Sequence, residues 1–125
     1  GNDVTIICHS KTVAPSLKAA EALAADGVEA EVIDLRTIRP LDVEAILTSV
    51  AKTNRCVVAE EGWSFAGVGA QVVDTIQREA FDALDAPVLR VTGADVPMPY
   101  NKFLERAAKV DAAKIQDAAK KVLYR

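Results

Sequence analysis

With 125 residues, half of them hydrophobic, the chain carries enough apolar material to close a core of its own, and we read it as one domain. A net charge of -3 and a pI near 5.1 leave no basic face for neutralising phosphates, which excludes nucleic acid as a partner. No apolar run reaches bilayer length and the first residues lack a secretory leader's charged and apolar regions, so the expectation is a soluble, cytosolic or matrix-type protein with no membrane partner.

The opening Gly1-Asn2, directly before a strand and without an initiator Met, reads as the start of a piece of something longer. Val4 to Cys8 is a near-continuous apolar run, the pattern of a parallel strand covered on both faces. Past His9, Ser10, Lys11 and Thr12, a helix is predicted with Val13, Leu17, Ala20 and Ala24 on one face; Pro15 is tolerated in its first turn. Gly27, after Asp26, closes that helix in the left-handed conformation. Ala30 to Leu35 forms the second strand. It runs into a tight turn, Arg36-Thr37-Ile38-Arg39-Pro40-Leu41, because Pro40 disfavours a helical residue before it. Asp42 is the expected N-cap of a helix reaching about Lys52, stapled by Leu41 and Ile46 and burying Val43, Ile46, Leu47 and Val50.

The third strand, Cys56 to Glu60, ends in the acidic pair Glu60-Glu61 and a loop from Gly62 to Gly69. A helix follows with Val68, Val72, Ile76 and Ala80 in register, then a fourth strand from Val88 to Val91. Pro97 and Pro99 exclude Thr92 to Tyr100 from helix and central strand. Two closing helices are predicted, Asn101 to Ala108 and Ala112 to Tyr124, the second capped by Asp111. Strands alternating with helices through right-handed crossovers predict an α/β fold: three layers, α/β/α, around a mainly parallel sheet of about four strands in order 2-1-3-4. Ligands in such sheets sit at the carboxyl ends of strands one and three, where the order reverses; His9, Ser10, Lys11, Glu60, Glu61 and Gly62 would line that crevice. The same geometry separates Cys8 from Cys56 by about 10 Å or more at a rise of about 3.3 Å per residue. Both read as buried thiols, beyond the reach of a disulfide.

Gly67-Val68-Gly69 at a helix start is the pattern of a phosphate cradle. Val72, however, stands where the dinucleotide fingerprint needs its third glycine, and no Gly-Lys-Ser/Thr follows, so close packing and a tight turn are the expected roles. Glu60 and Glu61 fail as an acid/base pair because neighbouring strand residues point to opposite faces; ion pairing or subunit contact is expected instead. His9, the sole histidine, has no second metal-type ligand beside it and reads as a satisfied loop-end residue. Ser10 and Ser64 lack a base and its orienting group, and Asp34 lacks the preceding glycine fingerprint that would make it a ribose ligand. No residue is assigned to catalysis, to a cofactor or to a metal.

Three segments carry a resemblance: DLRTIRPLD from Asp34 to Asp42, EEGW from Glu60 with GVGA from Gly67, and APVLRVTGADVPMPY from Ala86 to Tyr100. Together the chain resembles the carboxyl-terminal, transketolase C-terminal-like domain of the β subunits of pyruvate dehydrogenase E1. The similarity covers nearly the whole chain, and the last segment is its most specific part. It implies one domain over residues 1–125 taken from a longer β subunit. In the intact α2β2 enzyme it implies thiamine diphosphate and Mg²⁺, oxidative decarboxylation of pyruvate, and acetyl transfer to the lipoyl groups of E2. The family's cofactor residues lie on the α subunit and on the β subunit's amino-terminal domain. No Gly-Asp-Gly with a downstream Asn is present here, so no catalysis by this chain alone is implied.

What the resemblance implies instead is an assembly and docking domain, with the E1 α subunit, a second β subunit and the basic subunit-binding domain of E2 as partners. Carried over, E2 docking falls on Asp85 and the terminal carboxylate of Arg125, whose side chain stands where the family often has an apolar or neutral one. Glu60, Glu61, Trp63, Phe65, Met98 and Tyr100 are the subunit-interface candidates; the aromatics and Met98 could equally cap the core. The family usually has an antiparallel edge strand before Asp3, and its absence would expose a sheet edge. Two other readings stay open: an E1 β domain serving branched-chain 2-oxo acids, and a free-standing flavodoxin-like ligand-binding domain.

Overall fold

The computed structural model describes residues 1–125. In chain order its elements are β1 (Val4–Cys8), α1 (Val13–Ala25), β2 (Ala30–Asp34), α2 (Val43–Thr53), β3 (Cys56–Trp63), α3 (Val68–Ala80), β4 (Leu89–Gly93), α4 (Lys102–Ala108) and α5 (Ala112–Val122). All strand pairs are parallel, and the four strands lie in the expected order β2-β1-β3-β4. No helix is long and apolar enough to cross a membrane.

Alternation along the strands sorts the core into two layers. Val4, Ile6 and Cys8 of β1, with Val57, Ala59 and Val91, face α1 and α5, meeting Ala19, Leu23, Ile115, Ala119 and Val122. The next residues along, Ile7, Cys56 and Val58, face α2 and α3 and meet Ile46, Val50, Val72 and Ile76. β1 is buried throughout because it has a strand on each side and a helix layer on each face. Each fully buried aliphatic side chain contributes about 1.5–3 kcal/mol. Between β1 and α2 the apolar layer is interrupted by hydroxyls, with Thr5 Oγ1 lying 2.7 Å from both Ser49 Oγ and Thr53 Oγ1.

The predicted punctuation is where the sequence put it. Asp42 accepts from the Ala45 N–H at 3.1 Å, Asp111 from that of Lys114 at 2.9 Å, and Gly27 takes φ 77° after α1. Asn101 proves to be the cap of α4, outside the helix. Cys8 and Cys56 are free, buried and on opposite faces of the sheet. Burial pushes both thiols up, and at Cys8 the nearby Asp34 charge adds to the rise.

Other boundaries and faces differ. α1 buries Ser16, Ala19 and Leu23, whereas Leu17 is half exposed. On this face Ala19 and Leu23 of α1 join Ile115, Ala118 and Ala119 of α5 in one buried cluster. β3 runs past Glu60 to Trp63, and β4 lies a residue or two further along than predicted, because the two strands pair again at Trp63 and Gly93.

Candidate functional site

The crevice expected between β1 and β3 is closed. A 3-10 turn, Ser10–Thr12, sits over it, with the Thr12 hydroxyl 2.7 Å from the carbonyl oxygen of His9 and 3.1 Å from that of Ala59. Above the turn, Lys11 Nζ lies 3.9 Å from Glu61. The open depression at this end of the sheet, about 510 Å³, falls between β1 and β2 instead and is lined by His9, Ser10, Asp34, Leu35, Arg36 and Ile38. Its charges are already matched, Arg36 Nε lying 2.7 Å from Asp34 Oδ2 as an ion pair. His9 is not the satisfied residue expected from sequence: its Nε2 is buried without a hydrogen-bond partner. The flavodoxin-like crevice reading therefore loses its site.

At the other candidate cradle, the anion is the protein's own. Glu60 is 2% exposed, and its Oε2 accepts from the Gly69 N–H at 2.9 Å at the start of α3. Its Oε1 takes the Arg90 guanidinium at 2.6 Å. Because a Cβ on Gly67 would collide with Oε1 and one on Gly69 would come within 2.8 Å of it, the glycines serve to admit this carboxylate. The turn does not fit a diphosphate, whose charge would meet Glu60 on the same N–H groups. Nowhere do three or more His, Cys, Asp or Glu side chains gather as metal ligands would. Glu60 and Glu61 do point apart, Glu60 inward and Glu61 to the surface.

The remaining interface candidates are on the outside. Trp63, Phe65, Met98 and Tyr100 are 54, 83, 58 and 105% exposed, so they project from the surface and do not cap the core. Glu61, Gly62, Trp63, Gly93, Met98 and Lys109 surround one recess of about 350 Å³. Sequence reasoning missed Phe103 and Leu104, 82 and 59% exposed on α4; an adjacent apolar pair on a short, otherwise polar helix was the available signal.

Asp85 and the chain end are brought together at the far side. Tyr124 Oη donates to the Asp85 carbonyl at 3.4 Å, and the Asp85 N–H donates to Asn54 O at 2.9 Å. The Asp85 carboxylate, 57% exposed, stands 3.8 Å from Arg55 Nη1. It rims a largely apolar depression of about 500 Å³ lined by Phe81, Leu84, Ala86, Pro87, Val88 and Tyr124. Arg125 is exposed beside it in sequence, its N–H donating to Lys120 O.

These features were compared with known proteins. The β subunit of mitochondrial pyruvate dehydrogenase E1 from Dictyostelium discoideum is 52% identical over 125 residues, covering 100% of this chain and 35% of that protein. The corresponding Rickettsia felis subunit is 50% identical over 124 residues, 99% of this chain and 38% of its own length. The mitochondrial subunit of Mus musculus is 51% identical over 98% of this chain and 34% of its own length. The chain thus spans little more than a third of these relatives. A solved split-gene transketolase, described as an inactive β4 tetramer, superposes with a TM-score of 0.85 at 31% identity, over 99% of this chain and 39% of that one. The family model for the transketolase C-terminal domain matches residues 1–115, and the chain belongs to that family.

Proposed function

We propose that this chain is the assembly and docking part of the β subunit of a thiamine-diphosphate-dependent pyruvate dehydrogenase E1. In that reading the intact enzyme, in a mitochondrial matrix or a bacterial cytoplasm, decarboxylates pyruvate oxidatively and passes acetyl groups to E2. Thiamine diphosphate and Mg²⁺ belong to the intact enzyme, and this chain contributes no residue to them. The observation that carries the reading is the group Trp63, Phe65, Met98 and Tyr100, exposed on a domain whose own core is closed. Such a group supplies the apolar centre of an interface, which for a stable contact buries upward of about 1,000 Å². The E1 α subunit and a second β subunit are the proposed occupants, supported by the relatives' identity as E1 β subunits and by the tetrameric neighbour.

The Asp85 rim suits the basic subunit-binding domain of E2, because an exposed carboxylate beside an apolar depression combines steering with an anchor. Calorimetric titration with that domain at low and moderate salt tests this half, with saturable, salt-sensitive binding weakened about tenfold by Asp85→Ala as the expected result. No binding by a folded chain overturns docking. Sedimentation of the intact β subunit with the α subunit tests the other half: Trp63→Ser with Phe65→Ser should disperse the tetramer. A tetramer of undiminished affinity overturns the assembly role.

A further inference from the structure

We propose that Glu60 and Arg90 are positioning residues that hold the exposed segment 61–66, with Trp63 and Phe65, in its partner-facing shape from inside the domain. The inference rests on the assembly reading only for what that segment faces. The register pairs Val58 with Arg90, which turns Arg90 toward α2 and α3, and Glu60, two residues beyond Val58, faces the same layer. One carboxylate therefore joins β3 to β4 through Arg90 at 2.6 Å and to the start of α3 through the Gly69 N–H at 2.9 Å. Of the residues between those anchors, Glu61 to Ala66 are exposed and only Gly67 and Val68, at the start of α3, are half-buried.

The backbone is shaped to this arrangement. Between the pairs Ala59–Val91 and Trp63–Gly93, β3 has two residues more than β4, and the surplus bulges outward past Glu60. A Cβ on Gly93 would sit 2.6 Å from the Glu61 carbonyl, and one on Gly67 would lie 2.8 Å from that of Trp63, so the bulge rests directly on β4 and folds back against α3. A buried ion pair is a poor source of net stability, because desolvation offsets its attraction. Here it even leaves Arg90 Nε buried without a partner. What a hydrophobic pair of equal size lacks is direction, and direction is what a loop with no buried side chain between its anchors needs.

Trp63 is the only tryptophan, so its fluorescence reports this loop alone. In the 125-residue chain, Glu60→Gln should keep native far-UV circular dichroism while acrylamide quenching of Trp63 rises about twofold, as expected when a segment is released locally. Arg90→Met should do the same and Arg90→Lys should restore part of the protection. Trp63 quenching unchanged in folded Glu60→Gln and Arg90→Met overturns the proposal. If Glu60→Gln does not fold, Gly69→Ala, which crowds the same carboxylate, gives the reading in its place. Quenching needs no partner, so a loosened Trp63 with undiminished tetramer assembly would support the latch while removing the assembly reading.

Discussion

Arg55 Nε donates to the carbonyl of Val122 at 2.9 Å, tying the amino end of β3 to the last turn of α5. The same guanidinium lies 3.8 Å from the exposed carboxylate of Asp85. The two contacts should differ in weight. Arg55→Met, which leaves a partly buried carbonyl unpaired, is expected to cost about 1–2 kcal/mol in urea denaturation. Asp85→Asn is expected to stay within about 0.5 kcal/mol, as exposed ion pairs do. Equal losses would mean that the ion pair, and not the carbonyl bond, holds α5.

The hydroxyl cluster beneath α2 makes a second prediction. Thr5, Ser49 and Thr53 are all buried, and Thr53 also donates toward Ser49 O and Arg55 O. Thr5→Val should destabilise by about 1–3 kcal/mol, since it strips a partner from two buried hydroxyls. Adding Ser49→Ala should cost less than the sum of the single changes, because the second change removes a group already orphaned. Strict additivity in the double-mutant cycle would show that the three hydroxyls do not act together.

Acid stability follows from three surface carboxylates, Asp26 exposed and Glu31 and Glu105 half-buried. Lys120 holds Asp26 low by hydrogen bond and charge, the hydrogen bond from Lys52 does the same for Glu31, and Lys109 for Glu105. A carboxyl lowered on folding adds stability that is fully present above its unfolded value and disappears as pH falls through the folded one. Stability should therefore hold down to the ordinary values of 3.8 and 4.5 and then decline below them. The decline should be shallower in about 1 M salt, where the Debye length is about 3 Å. Denaturation midpoints that fall already above about pH 5 would assign acid sensitivity to other groups.

What could be read from the sequence were the features that are local or periodic. Continuous apolar runs gave the parallel strands, and Asp42, Asp111 and Gly27 gave helix ends, because each acts within a few residues of itself. The face of α1 escaped because hydrophobicity pointed to Leu17, while the face that is buried carries the small residues Ser16 and Ala19 beside Leu23. The closure of the expected crevice depended on one hydroxyl, Thr12, meeting a strand far along the chain. Trp63, Phe65, Met98 and Tyr100 stood out because large apolar residues among glycines and prolines have no helix or strand face to occupy. Phe103 and Leu104 did not, since a helix absorbs such residues without comment. Glu60 and Arg90 are 30 positions apart, and only the parallel register sets them side by side.

That register also has an arithmetic. The surplus of β3 over β4 is an even number, so Trp63 pairs with Gly93 on the same side of the sheet on which Ala59 pairs with Val91. Losing or gaining a single residue there would turn the indole to the opposite side, whereas a change of two would alter how far the bulge stands out and leave its side alone. An insertion or deletion in this overhang accordingly keeps the indole on its present side only when it comes in pairs of residues.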